Sequence, residues 1–423
     1  MEKKEVVLTG YGVLCPLGID QNEIFEALCA GKSGIGYLES IPTTLADRPI
    51  GGEVPDFHAK DYVKPRKNIK VMSRDIQMAF VSAAKGCEQA GLITEGEQRN
   101  VDPERFGVLY GCDLIGTDLD ELKDAFKAGI EGENYDFSTW GEAAMGKIMP
   151  LWMLKYLPNM PACHIGIALD ARGPNNTSTM ERGSCLEAMT EAVKVLERGD
   201  ADVMISGSCG NKINPTVLAR SRSYNSDPWD KRSLDSPRPF DADRELSVLS
   251  EGAGSFVLET EEFALARGAK PLAKIRACAR TMAPDKEKIA QKDSIARALA
   301  LLLKESGLKP EEIGHVNADG VGTVHDDAVE AAAIREVLGD VPVFSSKGYL
   351  GNAGSGTGAV ELAISLMILD KGIIPPVKNC SRIAEDCPIN VVVGSPREIQ
   401  KKTFIKINHT NAGRAFAMLL EKY

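Results

Sequence analysis

The stretch at residues 173–189 reads GPNNTSTMERGSCLEAM, and it decides how the fold is interpreted. Small polar residues at 176–179 predict a short buried strand, residues 180–183 a tight turn, and the apolar spacing over 184–198 a helix. In several acyl-transfer folds such an elbow exposes a nucleophile at its tip, beside helix N-terminal amides that stabilise an oxyanion. The residue at this tip is Arg182, whose guanidinium stays protonated and cannot attack a carbonyl.

Length and composition restrict the class of protein. A chain of 423 residues with 43% hydrophobic side chains predicts two domains or two fused, similar halves around a large core. The net charge of −10 argues against nucleic acid as a partner. Since neither a leader nor a run of about 18 apolar residues is recognisable, we expect no membrane span and a cytoplasmic location. Ten cysteines without a CxxC pair and five dispersed histidines predict free buried thiols, no metal site and no cofactor.

One short segment departs from the acidic background. The sequence KPRKNIKVMSR at 64–74 carries five basic residues, namely Lys64, Arg66, Lys67, Lys70 and Arg74. Such a charge run is often only a solvated loop and helix start. The alternative is a docking site for an acidic partner.

Strand and helix patterns alternate along the first half of the chain. The predicted strands are VVLTGYG near the start and residues 106–110, 202–208 and 254–260. The predicted helices are residues 22–30, 72–90 and 262–267. Residues 36–66 and 212–239 are expected to be surface loops, 119–149 irregular and helical, and 150–166 a connection.

The second half repeats this plan. We predict strands at 274–279 and 314–318 and a helix at 292–305. Residues 341–372 again give a strand, a glycine-rich turn and a helix, and LMILDKG at that helix end echoes VKVLERG after the first elbow. The repetition predicts a duplicated α/β fold with halves at 1–260 and 261–423.

A set of motifs in a fixed order resembles a known family. They are AGKSGI at 30–35, RPFDADR from Arg238, SEGAGSFVLE from Ser250, NADG from Asn317 and SSKGYLGNAGSGTGAVE from Ser345. Together with the opening strand and the elbow, they resemble the β-ketoacyl-acyl-carrier-protein synthases of the condensing type over nearly the whole chain. The resemblance implies a thiolase-like fold, a duplicated five-layer αβαβα arrangement, and a dimer in which the strand at 176–179 lies at the interface.

The resemblance also identifies three altered positions. Active members of the family use one cysteine, which becomes acylated, and two histidines, which support decarboxylation and the oxyanion. The motifs place these positions at Arg182, Asp319 and Asn352. Since none of these side chains supplies the required chemistry, ordinary condensation is expected to fail.

Other positions of the family's site are carried over in the same way. Lys347, Glu330 and Asp327 occupy places where the family keeps a lysine and acidic residues, although an internal ion-pair network explains them equally well. The family's aromatic gate is replaced by NHTNAGRAF at 408–416. His409, Thr410 and Ala412 therefore become candidate substrate-binding residues.

Two hypotheses concern the elbow itself. In the first, Arg182 and Asp319 form a buried ion pair that fills the former acylation site, because a lone buried charge would be costly. The alternative turns Arg182 outward to solvent. In the second, Cys185 replaces the lost nucleophile near a helix N-terminus, with His409 or His164 as its base. The alternative is that Cys185 merely packs beneath the elbow.

Three functions follow from these observations. The first is a non-condensing subunit, similar in role to the family's chain-length factors, which shapes the acyl tunnel of an active ketosynthase in a heterodimer. The second is an acyltransferase that acts on acyl thioesters with altered chemistry through Cys185 or Asp319. The third is a non-catalytic scaffold that binds an acyl chain. The implied partners are an active ketosynthase or a second copy of the chain, and an acyl carrier protein at the basic patch.

Overall fold

The computed structural model describes residues 4–41, 49–55, 57–92, 101–131, 134–218, 233–283 and 288–423. The first-half strands are β1 (Val6–Leu14), β2 (Ile35–Tyr37), β3 (Ile50–Gly52), β4 (Phe106–Cys112), β5 (Ile130–Glu131), β6 (Asn134–Tyr135), β7 (Asn175–Ser178), β8 (Val203–Asn211) and β9 (Glu251–Thr260). The second-half strands are β10 (Ala273–Met282), β11 (His315–Asn317), β12 (Pro342–Phe344), β13 (Ile373–Ile374), β14 (Asn390–Val391), β15 (Arg397–Glu398), β16 (Thr403–His409) and β17 (Arg414–Lys422).

The described helices flank and separate these strands. They are α1 (Gln21–Cys29), α2 (Ala59–Tyr62), α3 (Arg74–Gln89), α4 (Leu119–Ala128), α5 (Trp140–Met145), α6 (Met160–Leu169), α7 (Ser184–Arg198), α8 (Glu261–Ala266), α9 (Lys288–Ser306), α10 (Val324–Leu338), α11 (Lys347–Leu350) and α12 (Thr357–Lys371). None of these described helices is both long enough and apolar enough to cross a membrane.

The sheet topology shows that the chain is a duplication. Strands β7, β4, β8, β9 and β1 lie side by side, and β12, β11, β16, β17 and β10 follow the same order in the second half. In both halves the first two pairings are parallel and the last two antiparallel. A short antiparallel contact between β1 and β10 joins the halves. This repetition confirms the predicted duplicated α/β fold.

Helices α7 and α12 occupy equivalent places in the two halves and contact each other. Helix α12 is buried around its whole circumference, since every residue from Thr357 to Leu369 is buried, including the charged Glu361. A helix of this kind must be covered on all sides, so it lies in the interior of the molecule. The two helices therefore bring the first elbow and the glycine-rich second elbow together at their N-termini.

Several predictions needed correction. The strand predicted as buried is β7, which lies at the end of the sheet with Asn175 and Asn176 exposed, because no further strand of this chain pairs with its outer side within the described residues. The predicted connection at 150–166 contains most of α6, and the irregular segment at 119–149 contains α4 and α5 separated by β5 and β6. The sequence pattern does not predict α10, β16 or β17. Part of the loop predicted at 212–239 lies outside the described residues.

Candidate functional site

The elbow has a tightly fixed backbone. After β7, Glu181 adopts a left-handed conformation with φ 49°, which is uncommon for a residue with a side chain. The Ser184 hydroxyl accepts a hydrogen bond from the Met180 amide at 2.9 Å and donates one to the Glu181 carbonyl at 2.8 Å. A Cβ atom on Gly183 would lie 2.3 Å from the Phe416 ring, so only glycine fits there. The turn is thus held in one conformation, with Arg182 at its centre.

Arg182 points inward and pairs with Asp319. The Nε atom of Arg182 donates a hydrogen bond of 2.8 Å to Oδ2 of Asp319. The two side chains are 9% and 0% exposed, respectively. The hypothesis of a buried ion pair is confirmed, and the alternative of an outward arginine is wrong.

A second cation binds the other oxygen of the same carboxylate. The Nζ atom of Lys347 lies 2.5 Å from Oδ1 of Asp319 and 2.6 Å from Oε1 of Glu361. Burial alone would raise the pKa of Asp319, but the charges of Lys347 and Arg182 hold it well below its usual range. Asp319 is therefore a firmly ionised carboxylate and a weak base.

The two acidic residues predicted beside the site fix the turn that carries Asp319. Glu330 accepts hydrogen bonds from the amides of Asp319 and Gly320 at 2.7 and 2.8 Å. Asp327 accepts hydrogen bonds from the amides of Phe240 and Gly322 at 2.8 and 3.0 Å. Burial and the charge of Asp319 raise the pKa of Glu330 to about 8, and burial raises that of Asp327 to about 7.

Three further residues, Glu361, Lys406 and Asn408, complete the buried cluster and are not among the predicted site residues. Lys406 Nζ lies 2.8 Å from Oε2 of Glu361. Asn408 Nδ2 donates to Oδ1 of Asp319 at 3.2 Å and to Oε2 of Glu361 at 3.1 Å. The available signal was a charged residue inside an apolar run, Glu361 in GAVELAISLMIL and Lys406 in TFIKINH. A charge in such a position is buried only when it is paired.

Asn352 has a different role from Arg182 and Asp319. Its side-chain oxygen accepts hydrogen bonds from the Gly354 amide at 2.9 Å and from the Thr357 hydroxyl at 3.1 Å. These bonds close the glycine-rich turn that leads into α12. Asn352 therefore stabilises the second elbow, whereas Arg182 and Asp319 bind each other.

The predicted replacement nucleophile lies in an unsuitable environment. Cys185 is completely buried, and its Sγ atom contacts Sδ of Met189 at 3.7 Å. Burial raises the pKa of this thiol to about 12, the opposite of the lowering expected near a helix N-terminus. Of its two candidate bases, His164 lies on α6, where its pKa is lowered by burial and its ring interacts with the Val71 backbone.

The hairpin between β16 and β17 brings one predicted residue to Asp319 and leaves another on the surface. The Nε2 atom of His409 lies 3.8 Å from Oδ2 of Asp319, and burial lowers the pKa of this imidazole. Thr410 is also buried. Ala412 is exposed at the hairpin turn.

The basic patch is only partly intact as a surface feature. Lys64, Arg66, Lys67 and Lys70 are exposed. Arg74 instead binds Glu251 through Nε and Nη2 at 2.7 and 2.6 Å, and its guanidinium lies over the Phe57 ring. Because its charge is neutralised there, Arg74 is removed from the predicted docking group.

The arrangement at the elbow contains charges but no activated nucleophile within the described residues. Three cavities with volumes of about 180, 380 and 800 Å³ lie elsewhere on the molecule and are lined by other residues. Because the paired side chains of the cluster are almost completely buried, the site resembles a closed ionic cluster more than an open catalytic pocket.

Comparison with known proteins agrees with the resemblance in the motifs. A sequence model of the β-ketoacyl synthase N-terminal domain matches residues 3–264, and one of the C-terminal domain matches residues 272–381. The chain is 29% identical over 439 residues to 3-oxoacyl-(acyl-carrier-protein) synthase 2 of Synechocystis sp., covering 100% of this chain and 99% of that relative. It is 30% identical over 425 residues to nodulation protein E of Rhizobium meliloti, covering 98% of this chain and 99% of the relative.

Solved structures share the fold. A β-ketoacyl synthase from Burkholderia phymatum matches with a TM-score of 0.86 and 24% identity, over 99% of this chain and 100% of that one. The ishigamide ketosynthase/chain length factor matches with a TM-score of 0.83 and 24% identity, over 100% of both chains. A type II polyketide synthase acyl-carrier protein in complex with its ketosynthase matches with a TM-score of 0.83 and 21% identity, over 100% of both chains.

These matches confirm the thiolase-like fold that the motifs imply. The model of the N-terminal domain alone spans more than half of the chain. The chain belongs to the β-ketoacyl synthase family.

Proposed function

We propose that the chain is a non-condensing subunit of a β-ketoacyl synthase, which assembles with a condensing subunit and shapes the cavity in which the acyl chain grows. The observation that carries this proposal is the buried hydrogen bond between Arg182 and Asp319. It occupies the place where the family's nucleophile is expected. A guanidinium cannot attack a thioester, and a carboxylate bound by two cations neither donates to an oxyanion nor removes a proton readily.

The surface around β7 supports assembly with a second subunit. Among the described residues β7 is the last strand of the sheet, and its neighbour β4 leads directly to Leu114, which is 67% exposed. Helix α6, which packs against β7, exposes 74% of Ile167. An open strand edge beside exposed apolar side chains is typical of a surface that another chain covers.

The kind of partner is proposed from the relatives and from charge. One structural neighbour is a ketosynthase/chain length factor, and we extend that pairing to this chain. Another is an acyl-carrier protein in complex with its ketosynthase. The four exposed basic residues at Lys64, Arg66, Lys67 and Lys70 suit an acidic carrier protein through charge complementarity.

The alternative of altered acyl-transfer chemistry has less support. Cys185 is completely buried, and its thiol has a pKa of about 12. Asp319 is ionised, but Arg182 binds one of its carboxylate oxygens and Lys347 binds the other. The reconstitution described next distinguishes the proposed subunit from a scaffold that binds an acyl chain without a condensing partner.

A reconstitution tests the proposal. The chain is purified alone, a condensing enzyme that retains its cysteine is purified alone, and the two are also combined; each of the three preparations receives acyl-carrier and malonyl-carrier thioesters. Mass spectrometry of the carrier then reports chain extension. We expect extended products only from the pair, and none when the partner's cysteine is replaced by alanine. Thioester turnover by the chain alone, or a product distribution from the partner that the chain does not alter, would contradict the proposal.

A further inference from the structure

An apolar cavity of about 180 Å³ lies where α3 packs against α2 and α6. Its wall includes Phe80 and Ala83 of α3 and Ile165 and Leu169 of α6, which are between 1% and 8% exposed. Alanine side chains on both of these helices keep the space open. Water in an apolar cavity lacks hydrogen-bond partners, so the space favours an apolar occupant.

The rim of this cavity carries polar groups on the side of α2. Tyr62, the last residue of α2, is half-buried, and Lys64, two positions further on, is exposed. Among the described residues that line the cavity, only these two have a polar atom in the side chain. Lys64 forms no ion pair with any other described residue. An apolar wall with one or two polar groups at its edge is typical of a small-molecule site, because the polar groups fix the orientation of the ligand.

The charge of the surrounding segments favours an anion at this rim. Residues 59–70, which border the cavity at Tyr62 and Lys64, contain five basic residues and one acidic residue. Helix α6 carries no charged side chain. The charged residues of α3 balance one another, two basic and two acidic: Arg74, Asp75, Lys85 and Glu88.

The volume of the cavity limits the size of the apolar part of a ligand. A water molecule occupies about 30 Å³ in the liquid, so a cavity of about 180 Å³ holds about six groups of that size. A short alkyl tail fits this space, whereas a long fatty acyl chain does not. The occupant that suits both the wall and the rim is therefore a short or medium alkyl chain that ends in an anionic group.

We propose that this cavity binds a medium-chain aliphatic carboxylate such as hexanoate. The alkyl tail lies against Phe80 and Ile165, and the carboxylate accepts a hydrogen bond from the ammonium group of Lys64. The ligand is held without any bond being formed or broken. This inference goes beyond the role as a non-condensing subunit, and it does not require a partner.

Ligand titrations followed by saturation-transfer NMR test the site on the purified full chain. Hexanoate is compared with hexanamide, which has the same tail without the charge, and with acetate, which has the charge without the tail. We expect hexanoate to bind more tightly than either control. The affinity should rise about fourfold for each methylene group added between butanoate and hexanoate, because each methylene is buried against the apolar wall.

Two variants assign the binding to this cavity. Ala84 lines the cavity and is half-buried on α3, so Ala84→Leu fills the space and should weaken hexanoate binding by about tenfold or more. The matched control is Ala300→Leu at an exposed position of α9, which should bind hexanoate like the wild type. Lys64→Gln should weaken hexanoate binding by about twofold to fivefold, because an exposed charge is lost, and should leave hexanamide binding unchanged.

Because Lys64 is exposed, its variant decides the question even where Ala84→Leu does not fold. The inference is overturned if hexanoate does not bind, if hexanamide binds as tightly as hexanoate, or if either Lys64→Gln or a folded Ala84→Leu binds hexanoate like the wild type. The titration contains neither a partner subunit nor a thioester. Failure here therefore leaves the proposed subunit role standing, and failure of the reconstitution leaves this site standing.

Discussion

Arg182 and Asp319 are separated by 137 positions in the sequence, yet Nε of the arginine donates to Oδ2 of the aspartate at 2.8 Å in the interior. The same carboxylate binds Lys347 at 2.5 Å. A buried ion seldom stabilises a protein by itself, but removing one partner leaves the others without compensation. The position where the family's nucleophile is expected has thus become part of the internal structure.

The first prediction concerns stability. Asp319→Asn removes the charge that Arg182 and Lys347 share and leaves two buried cations short of an anion. We expect the free energy of unfolding to fall by about 3–5 kcal/mol, the usual cost of breaking a buried ion pair. Urea denaturation followed by circular dichroism measures this change.

The matched control is an exposed ion pair of the same residue types. The side chains of Asp170 and Arg172 are 58% and 64% exposed, and Nε of Arg172 lies 2.9 Å from Oδ1 of Asp170. Asp170→Asn should leave the denaturation midpoint unchanged, because exposed pairs contribute little. Equal effects of the two substitutions would mean that the buried cluster is not held together by charge.

The sequence predicted the parts of this site that depend on local pattern. Helix α7 was predicted with the bounds observed, Ser184–Arg198, because its apolar residues recur at helical spacing and Gly199 ends it. The meeting of Arg182 and Asp319 followed from the order of motifs in the two halves. Both inferences rest on segments that lie beside clear sequence motifs or regular apolar spacing.

The other features of the site and of the fold depend on contacts between segments that are distant in the sequence. Glu361 and Lys406 lie on different elements, and only the folded structure shows that each neutralises the other. The small polar residues of β7 are predicted to form a buried strand, but among the described residues this strand lies at the end of the sheet. The resemblance to the family implies a second subunit at that edge, and the residues that cover it belong to that subunit.

The second prediction concerns pH. Asp75 is 6% exposed at the start of α3, and burial together with the charge of Glu251 raises its pKa to about 7. The folded state therefore holds this proton more tightly than the unfolded state, and stability is lost as pH rises from about 4 to 7. Each pH unit in this window costs about 1.4 kcal/mol for one proton.

The difference in the free energy of unfolding between the wild type and Asp75→Asn isolates the contribution of the Asp75 carboxyl group. Asparagine keeps an acceptor oxygen but does not titrate, so the variant should gain stability relative to the wild type as pH rises through this window. The two proteins must be compared because another group also titrates. Burial lowers the pKa of His315 to about 3, so the titration of His315 makes the protein more stable as pH rises. Denaturation curves at pH 5 and 7 measure the difference, and a constant offset between the two proteins would refute the assignment.

The third prediction concerns thiol reactivity. Cys185 is fully buried with a raised pKa, whereas Cys29 and Cys163 are partly exposed. Brief treatment of the native protein with N-ethylmaleimide should modify the latter two and leave Cys185 unmodified, because a buried thiol forms little thiolate and is not accessible. Peptide mapping identifies the sites, and denaturant should make Cys185 reactive. Fast and selective modification of Cys185 in the native state would restore it as a candidate nucleophile.

The last prediction tests the proposed interface at β7. The amide of Thr177 is bound to the Asn176 side chain at 2.8 Å rather than to β4, so it lies on the outer edge of the strand. Thr177→Pro removes this donor at a position where an edge strand tolerates proline, and it should abolish assembly with the condensing subunit while the circular dichroism spectrum is retained. Thr177→Ala, which keeps the amide, is the matched control and should assemble like the wild type in size-exclusion chromatography. If the proline variant folds and still assembles, the partner does not pair with this strand, and the interface must lie elsewhere.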